Sequence, residues 1–292
     1  MPVVLAGERV AFDAIGTRWS LTTDRPIDAA TRARVDAVVQ GYDRAWSRFR
    51  ADSGVAELAR TGGPVDLGPE AAPLLGLLQR LRALTGGAMD PLVAASLEHL
   101  GYGAGPGLVD APGLRAAPAA EVVVTGTAVR VEPPALLDVG SAGKGQLADL
   151  VAAELAADGH EQRTVDASGD IVTAGRPLTV ALEHPFDPTC AIGVVEVRDG
   201  AIAGSAVNRR AWTGTGGRRL HHVLDARTGA PVETVAAAWV LAGSAMLADA
   251  LATALFLVPP EDLMDSFDFR WVRMRTDGRV TASDGLTGEL FR

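Results

Sequence analysis

Residues 137–149, LDVGSAGKGQLAD, place three glycines, Ser141 and Lys144 directly before a helical pattern. A helix start offers main-chain N–H groups to an anion, and a lysine adds a compact point charge beside them. Of the 27 basic residues only Lys144 is lysine; all the others are arginine. The spacing is not that of a nucleoside-triphosphate loop. G-x-x-x-x-G-K-[ST] would need glycine at Asp138 and a hydroxyl residue at Gly145. A phosphate-facing helix start and an ordinary glycine-rich turn both stay open.

A second segment, SAMLADALATALFLV (244–258), carries Asp249 and Thr253 four residues apart, hence on one face of a helix. A carboxylate and a hydroxyl in an otherwise apolar helix are costly to bury alone, and a hard cation with oxygen ligands satisfies both. The ordinary alternative is a threonine bonded to its own helix and an aspartate at the rim. A third segment, RRLHHVLDARTGAPV (218–232), brings His222 near Asp225 and a Thr228–Gly229 turn. His222 is a candidate general base or phosphate partner, or a solvated loop histidine. TGGAMDP (85–91), WSRFRADSG (46–54) and VDASGD (165–170) join turn residues to acids beside an aromatic or Met. They suit loops closing over a flat ring, without being specific for one.

The elements that hold these segments alternate between helix and strand. Apolar spacing predicts helices through Val35, Val38, Tyr42 and Trp46, through Leu74 to Leu84, from Lys144 to Ala157, and from Ala245 to Val258. Strands are expected at Thr17–Thr23, Glu121–Thr125 with Ala128–Glu132 as a hairpin, Arg163–Ala167, Leu178–Glu183, Gly193–Arg198, Ala236–Ala242 and Arg270–Arg275. The mixture is α+β, with mostly antiparallel sheets covered by helices. A Gly/Pro-rich run at about 103–120 reads as an exposed connection inside a single domain of residues 1–292.

Composition is that of a globular protein, 48% hydrophobic and 22% charged. A net charge of −9 without a Lys/Arg stripe argues against nucleic acid as a partner. Positive charge for a phosphate must therefore be local. A single cysteine, Cys190, excludes an internal disulfide. No apolar stretch approaches the roughly 18 residues of a membrane span. No leader or lipoprotein anchor is visible at the N-terminus, so a cytoplasmic location is expected.

In chain order the segments resemble the FAD:protein FMN transferase family (ApbE type). The likeness runs through Gly16–Thr17; Ser47, Phe49 and Ser53; Gly86 to Pro91; Asp138 to Asp149; Asp166 to Asp170; Ala203 to Ala206; His222 to Gly229; and Ala248 to Ala254. Several positions depart from the family pattern. Met89 replaces Phe, Gly143 Ala, Ser168 Gly and Ala226 Pro, while Gly204 and Ala206 interrupt an A-T-S-G string. The resemblance implies a two-lobed fold with FAD in the cleft between the lobes. It implies Mg²⁺ on Asp249, Thr253 and a main-chain carbonyl near Ser141. Lys144 and neighbouring N–H groups would meet the pyrophosphate, and Ile15, Phe49, Ala88, Met89 and Asp90 would line the nucleotide pocket. His222, with Asp249, would serve the transfer of FMN to a Thr or Ser of an acceptor flavoprotein. An FAD pyrophosphatase and a non-catalytic FAD-binding protein are the alternatives.

Overall fold

The computed structural model describes residues 8–104 and 110–291, and its centre is an eight-stranded sheet. Across the sheet the strands are Arg9–Ala14, Thr17–Thr23, Arg163–Asp166, Ile171–Ala174, Gly200–Ala206, Val235–Ala242, Arg270–Arg275 and Val280–Ala282. Every neighbouring pair is antiparallel. The helices described are α1 (Ala29–Trp46), α2 (Gly54–Thr61), α3 (Ala71–Leu84), α4 (Ala94–His99), α5 (Gly143–Ala157), α6 (Ala245–Ala254) and α7 (Glu261–Met264). The fold is α+β. Among the described residues no helix is long and apolar enough to cross a membrane.

Side chains alternate between the faces of a strand, and both faces of the central strands are covered. Ala201, Ala203, Ala238 and Val240 join the core containing Leu147 and Val151 of α5 and Ala248 and Leu251 of α6. Ile202, Ala237 and Trp239 point the other way. There they meet Leu182, Ile192, Val195 and Val197 from a three-stranded sheet of Leu178–His184, Asp187–Val197 and Gly288–Leu290. This explains why Val235–Ala242 is apolar almost throughout and does not alternate. A second three-stranded sheet contains the Glu121–Thr125/Ala128–Glu132 hairpin with Val65–Asp66.

The N-termini of α5 and α6 are in backbone contact. A Cβ on Gly145 would lie 2.2 Å from the carbonyl oxygen of Ala245, so only glycine permits this approach. Asp149, one turn further along α5, accepts hydrogen bonds from the N–H groups of Ala245 (2.8 Å) and Met246 (2.9 Å). Its carboxylate thus satisfies two of the free donors that begin α6. Ser244 caps a third, from Leu247.

Several expectations are corrected. The last predicted helix stops at Ala254, not Val258, and the chain leaves in tight turns from Phe256 to Thr253 and Leu257 to Ala254. Pro259 and Pro260 lack N–H donors and disfavour helix at the residue before them. Gly200–Ala206 (GAIAGSA), near the middle of the main sheet, has none of the β-branched alternation that marks a strand. Within the connection at about 103–120, residues 105–109 lie outside the described residues. Beyond them the chain is tied down: Ala111 N–H donates to His99 O and Ala117 N–H to Ala226 O, both at 2.8 Å.

Gly145→Ala is expected to lower the melting temperature by roughly 2–10 °C, because an added methyl would press on immovable backbone. Unchanged melting of the purified variant would contradict the close α5–α6 contact.

Candidate active site

One cleft of about 960 Å³ is lined by Ile15, Phe49, Ala88, Met89, Asp90, Ser141, Lys144, His222, Asp249 and Thr253, whereas Asp225 and the Thr228–Gly229 turn lie outside its lining. The lining residues come from distant parts of the chain. Ile15 sits in the turn joining the first two strands, with φ of 43°, a conformation a β-branched residue rarely holds. Ser141 and Lys144 lie at the start of α5, and Asp249 and Thr253 on α6.

Asp249 is 6% exposed and accepts one hydrogen bond, from Gly145 N–H at 3.2 Å. Burial, with the neighbouring Asp170 adding to it, pushes its carboxyl well above the usual range, and Lys144 only partly opposes this. Asp170 is 1% exposed and is likewise raised by burial. The ammonium of Lys144 lies 2.7 Å from Asp170 and donates to Ala167 O at 3.1 Å. Two buried carboxylates therefore share one cation. Thr253 places its hydroxyl 3.3 Å from that of Ser205.

The phosphate-binding expectation changes accordingly. Lys144 is engaged by Asp170. The N–H groups of Gly140, Ala142, Gly143 and Gly145 are also engaged, by Asp138, by Val139 O twice and by Asp249. Four main-chain donors at this helix start are thus taken by protein acceptors.

Asp90 also works within the protein. Arg82 Nε donates to one carboxylate oxygen at 2.5 Å and Leu92 N–H to the other at 2.9 Å. It fixes the turn that presents Ala88 and Met89, both almost fully buried. Phe49 lines the cleft 46% exposed, its ring contacted by the Arg48 guanidinium and by Tyr102.

The two adjacent histidines separate. His221 is held by Val232 O and Val223 N–H, whereas His222 lines the cleft with Nδ1 buried and without a hydrogen-bond partner. Burial, and then the charge of Arg210, lowers the pKa of His222 to about 4. With that shift the imidazole is neutral at pH 7 in the unliganded cleft. The loop behind it is fastened by Asp225–Arg227 at 2.6 Å and by Ala226 N–H donating to Ala88 O at 2.9 Å. A proline at 226 could not make the second bond.

The other departures have physical partners as well. A methyl on Gly143 would come 3.1 Å from the Tyr42 hydroxyl, which is bonded to Gln146 at 2.9 Å. A Cβ on Gly204 would meet the indole of Trp239, its cross-strand neighbour, at 2.8 Å. Ser168 adopts φ of 58°, which glycine would take without strain.

Sequence reasoning assigned no role to Arg48, Tyr102, Asp138, Asp170 or Arg210. Arg48 pairs with Asp138 at 2.6 Å and donates to Tyr102 O at 3.0 Å, with its guanidinium over the rings of Phe49 and Tyr102. Arg48, Asp138 and Asp170 lie inside segments already singled out, so proximity to them was the available signal. Tyr102 and Arg210 carried none.

The cleft thus joins Asp249 and Thr253 of α6 to residues from several strands of an open antiparallel sheet. The ApbE family model matches residues 15–271, and the chain belongs to the ApbE family. The FAD:protein FMN transferase of Rhodobacter capsulatus is 32% identical over 263 residues, 84% of this chain and 50% of that protein. This chain thus spans about half the length of that relative. The FAD:protein FMN transferase of Klebsiella pneumoniae is 27% identical over 271 residues, 85% of this chain and 77% of that protein. The crystal structure of the ApbE protein of Thermotoga maritima superposes with a TM-score of 0.79 at 22% identity, covering 95% of this chain and 97% of that one. The flavin transferase ApbE of Vibrio cholerae gives 0.77 at 22%, covering 95% and 98%. These two likenesses establish the fold.

A histidine with a depressed pKa makes stability depend on acid. Between pH 6.5 and about 4 the unfolded chain takes up a proton at His222 that the folded one refuses. This residue's contribution to stability is therefore lost as pH falls through that window, by about 3 kcal/mol at most. His222→Asn should flatten the pH dependence of unfolding between pH 4 and 6.5 relative to the unaltered protein. Parallel curves would mean that His222 is solvated.

Proposed function

We propose that this chain is a magnesium-dependent FAD:protein FMN transferase. It cleaves FAD, joins the FMN half through a phosphoester to a Thr or Ser of an acceptor flavoprotein, and releases AMP. One observation carries the reading. Asp249, a buried carboxylate without a basic partner of its own, shares a cleft with Thr253, Ser141 and His222. The names of the relatives from Rhodobacter capsulatus and Klebsiella pneumoniae support the same reaction.

The residues fit Mg²⁺. Their donors are all oxygen: the Asp249 carboxylate, the Thr253 hydroxyl and a main-chain carbonyl near Ser141. Among the described residues no group of three or more His, Cys, Asp or Glu could hold a metal. So sparse a set suits a cation that takes its remaining ligands from substrate phosphates and water. When bound, the ion supplies positive charge against the negative charge that develops on the oxygen bridging the two phosphorus atoms.

The chain's own groups do the rest. Ile15, Phe49, Ala88 and Met89 wall the nucleotide pocket, with Asp90 holding the turn beneath them. The acceptor hydroxyl oxygen bonds to the FMN phosphorus as the bond from that phosphorus to the bridging oxygen breaks, and AMP departs. His222 offers its unpartnered, neutral imidazole to the hydroxyl proton. Lys144 holds Asp170, keeping a second negative charge from accumulating behind Asp249.

Incubation with FAD, Mg²⁺ and a candidate acceptor should add the mass of FMN less water to an acceptor Thr or Ser. Free FMN with an unmodified acceptor would identify a hydrolase, and intact FAD a binding protein. Asp249→Ala should abolish the Mg²⁺-dependent cleavage in a folded protein, whereas Thr253→Val, which removes a neutral ligand, should weaken Mg²⁺ binding less. Full turnover by the Asp249 variant would take this residue out of the metal site.

A further inference from the structure

Four basic side chains line the cleft: Arg48, Lys144, Arg209 and Arg210. Three are neutralised by the protein itself. Arg48 pairs with Asp138 at 2.6 Å, Lys144 with Asp170 at 2.7 Å and Arg209 with Glu183 at 3.0 Å. Arg210 alone of the four has no acidic partner among the described residues. Its Nη1 donates to the Tyr102 hydroxyl, and its guanidinium carbon lies 5.8 Å from the centre of that ring.

Tyr102 is a fixed support. It stacks on Trp212 with centroids 5.4 Å apart and planes at 19°, and Trp212 in turn donates to Leu100 O at 2.8 Å. Phe49 meets Tyr102 in a T-shaped contact with centroids 5.8 Å apart. Arg210 is thus aimed by a neutral hydroxyl that leaves its charge uncompensated. It also neighbours His222: the His222 N–H donates to Arg210 O at 3.2 Å. The charge of Arg210 contributes to keeping His222 neutral, so its field reaches the place where the imidazole sits.

We propose that Arg210, not Lys144, is the cation that contacts the phosphate oxygens of the dinucleotide, with Tyr102 positioning its guanidinium. This inference rests on the proposed reaction and names a binding residue within it. An arginine presents a planar fork of donors matched to phosphate, and its charge-assisted hydrogen bonds are the stronger kind. The acids of the cleft give the complementary count. Asp43, Asp90, Asp138 and Glu183 each have an arginine, and Asp249 does not. One unmatched carboxylate and one unmatched guanidinium in a single cleft are what a metal-bound diphosphate would neutralise together.

The test is equilibrium binding of FAD and of ADP, without Mg²⁺, at low and high ionic strength. Arg210→Gln should weaken both ligands about tenfold to a hundredfold at low salt, with the deficit shrinking at high salt. Arg210→Lys should recover part of the loss, since charge returns without the fork. Tyr102→Phe, which keeps the arginine but removes its tether, should cost only severalfold. A melting temperature equal to that of the unaltered protein would show that the loss is not unfolding. Unchanged FAD and ADP affinity in Arg210→Gln, or a loss indifferent to salt, would overturn the assignment. So would a defect seen only in the KM for the acceptor, which would make Arg210 an acceptor contact. Failure of the unaltered protein to bind either ligand would instead sink the functional reading, and this inference with it.

Discussion

The contact between the N-termini of α5 and α6 is the constraint on which the site depends. Gly145 lets the two backbones touch, Asp149 caps α6 from α5, and Gly145 N–H reaches across to Asp249. These bonds bury Asp249 beside a second acid, Asp170, which pairs with the single ammonium of Lys144. A carboxyl buried without a full partner is a costly arrangement, and burial disfavours its charged form. It persists because the surrounding frame, an eight-stranded sheet covered on both faces, holds the helices where they are. The cleft is therefore prepared for positive charge before any arrives, the condition under which electrostatic stabilisation of a reaction needs no rearrangement.

Departures from the family pattern read as local exchanges. Gly143 lacks a methyl where the Tyr42 hydroxyl stands, and Gly204 lacks a side chain where the Trp239 indole lies. Ala226 supplies an N–H that a proline would not, tying the histidine loop to the turn of Ala88. Gly143 and Gly204 line the cleft itself, alongside Asp249, Thr253, Lys144 and His222, whereas Ala226 acts from behind it. Such changes move shape without moving charge.

Much of this was legible in the sequence, for identifiable reasons. The helices at Val35–Trp46 and Leu74–Leu84 announced themselves by apolar period, and the Glu121–Glu132 hairpin by alternation around a glycine turn. Gly200–Ala206 was not legible, because a strand of small residues packed under an indole has no β-forming composition. Asp249 with Thr253 could be paired by helical spacing. The ion pairs of Lys144 with Asp170 and of Arg48 with Asp138 join residues far apart in the chain, which spacing cannot reveal. For Lys144 the charge was visible in the sequence, but its pairing with Asp170 was not.

The central claim is that Asp249 is a carboxylate awaiting a cation and not a structural acceptor. Thermal unfolding of the unaltered protein and of Asp249→Asn, each with ADP and with or without Mg²⁺, separates the two. The account predicts that Mg²⁺ raises the melting temperature of the unaltered protein and leaves the variant unmoved. It also predicts that without metal the variant melts no lower than its parent, since the amide removes an ionisable group that burial and Asp170 disfavour. An equal Mg²⁺ shift in both proteins, or a metal-free variant that melts well below its parent, would contradict it.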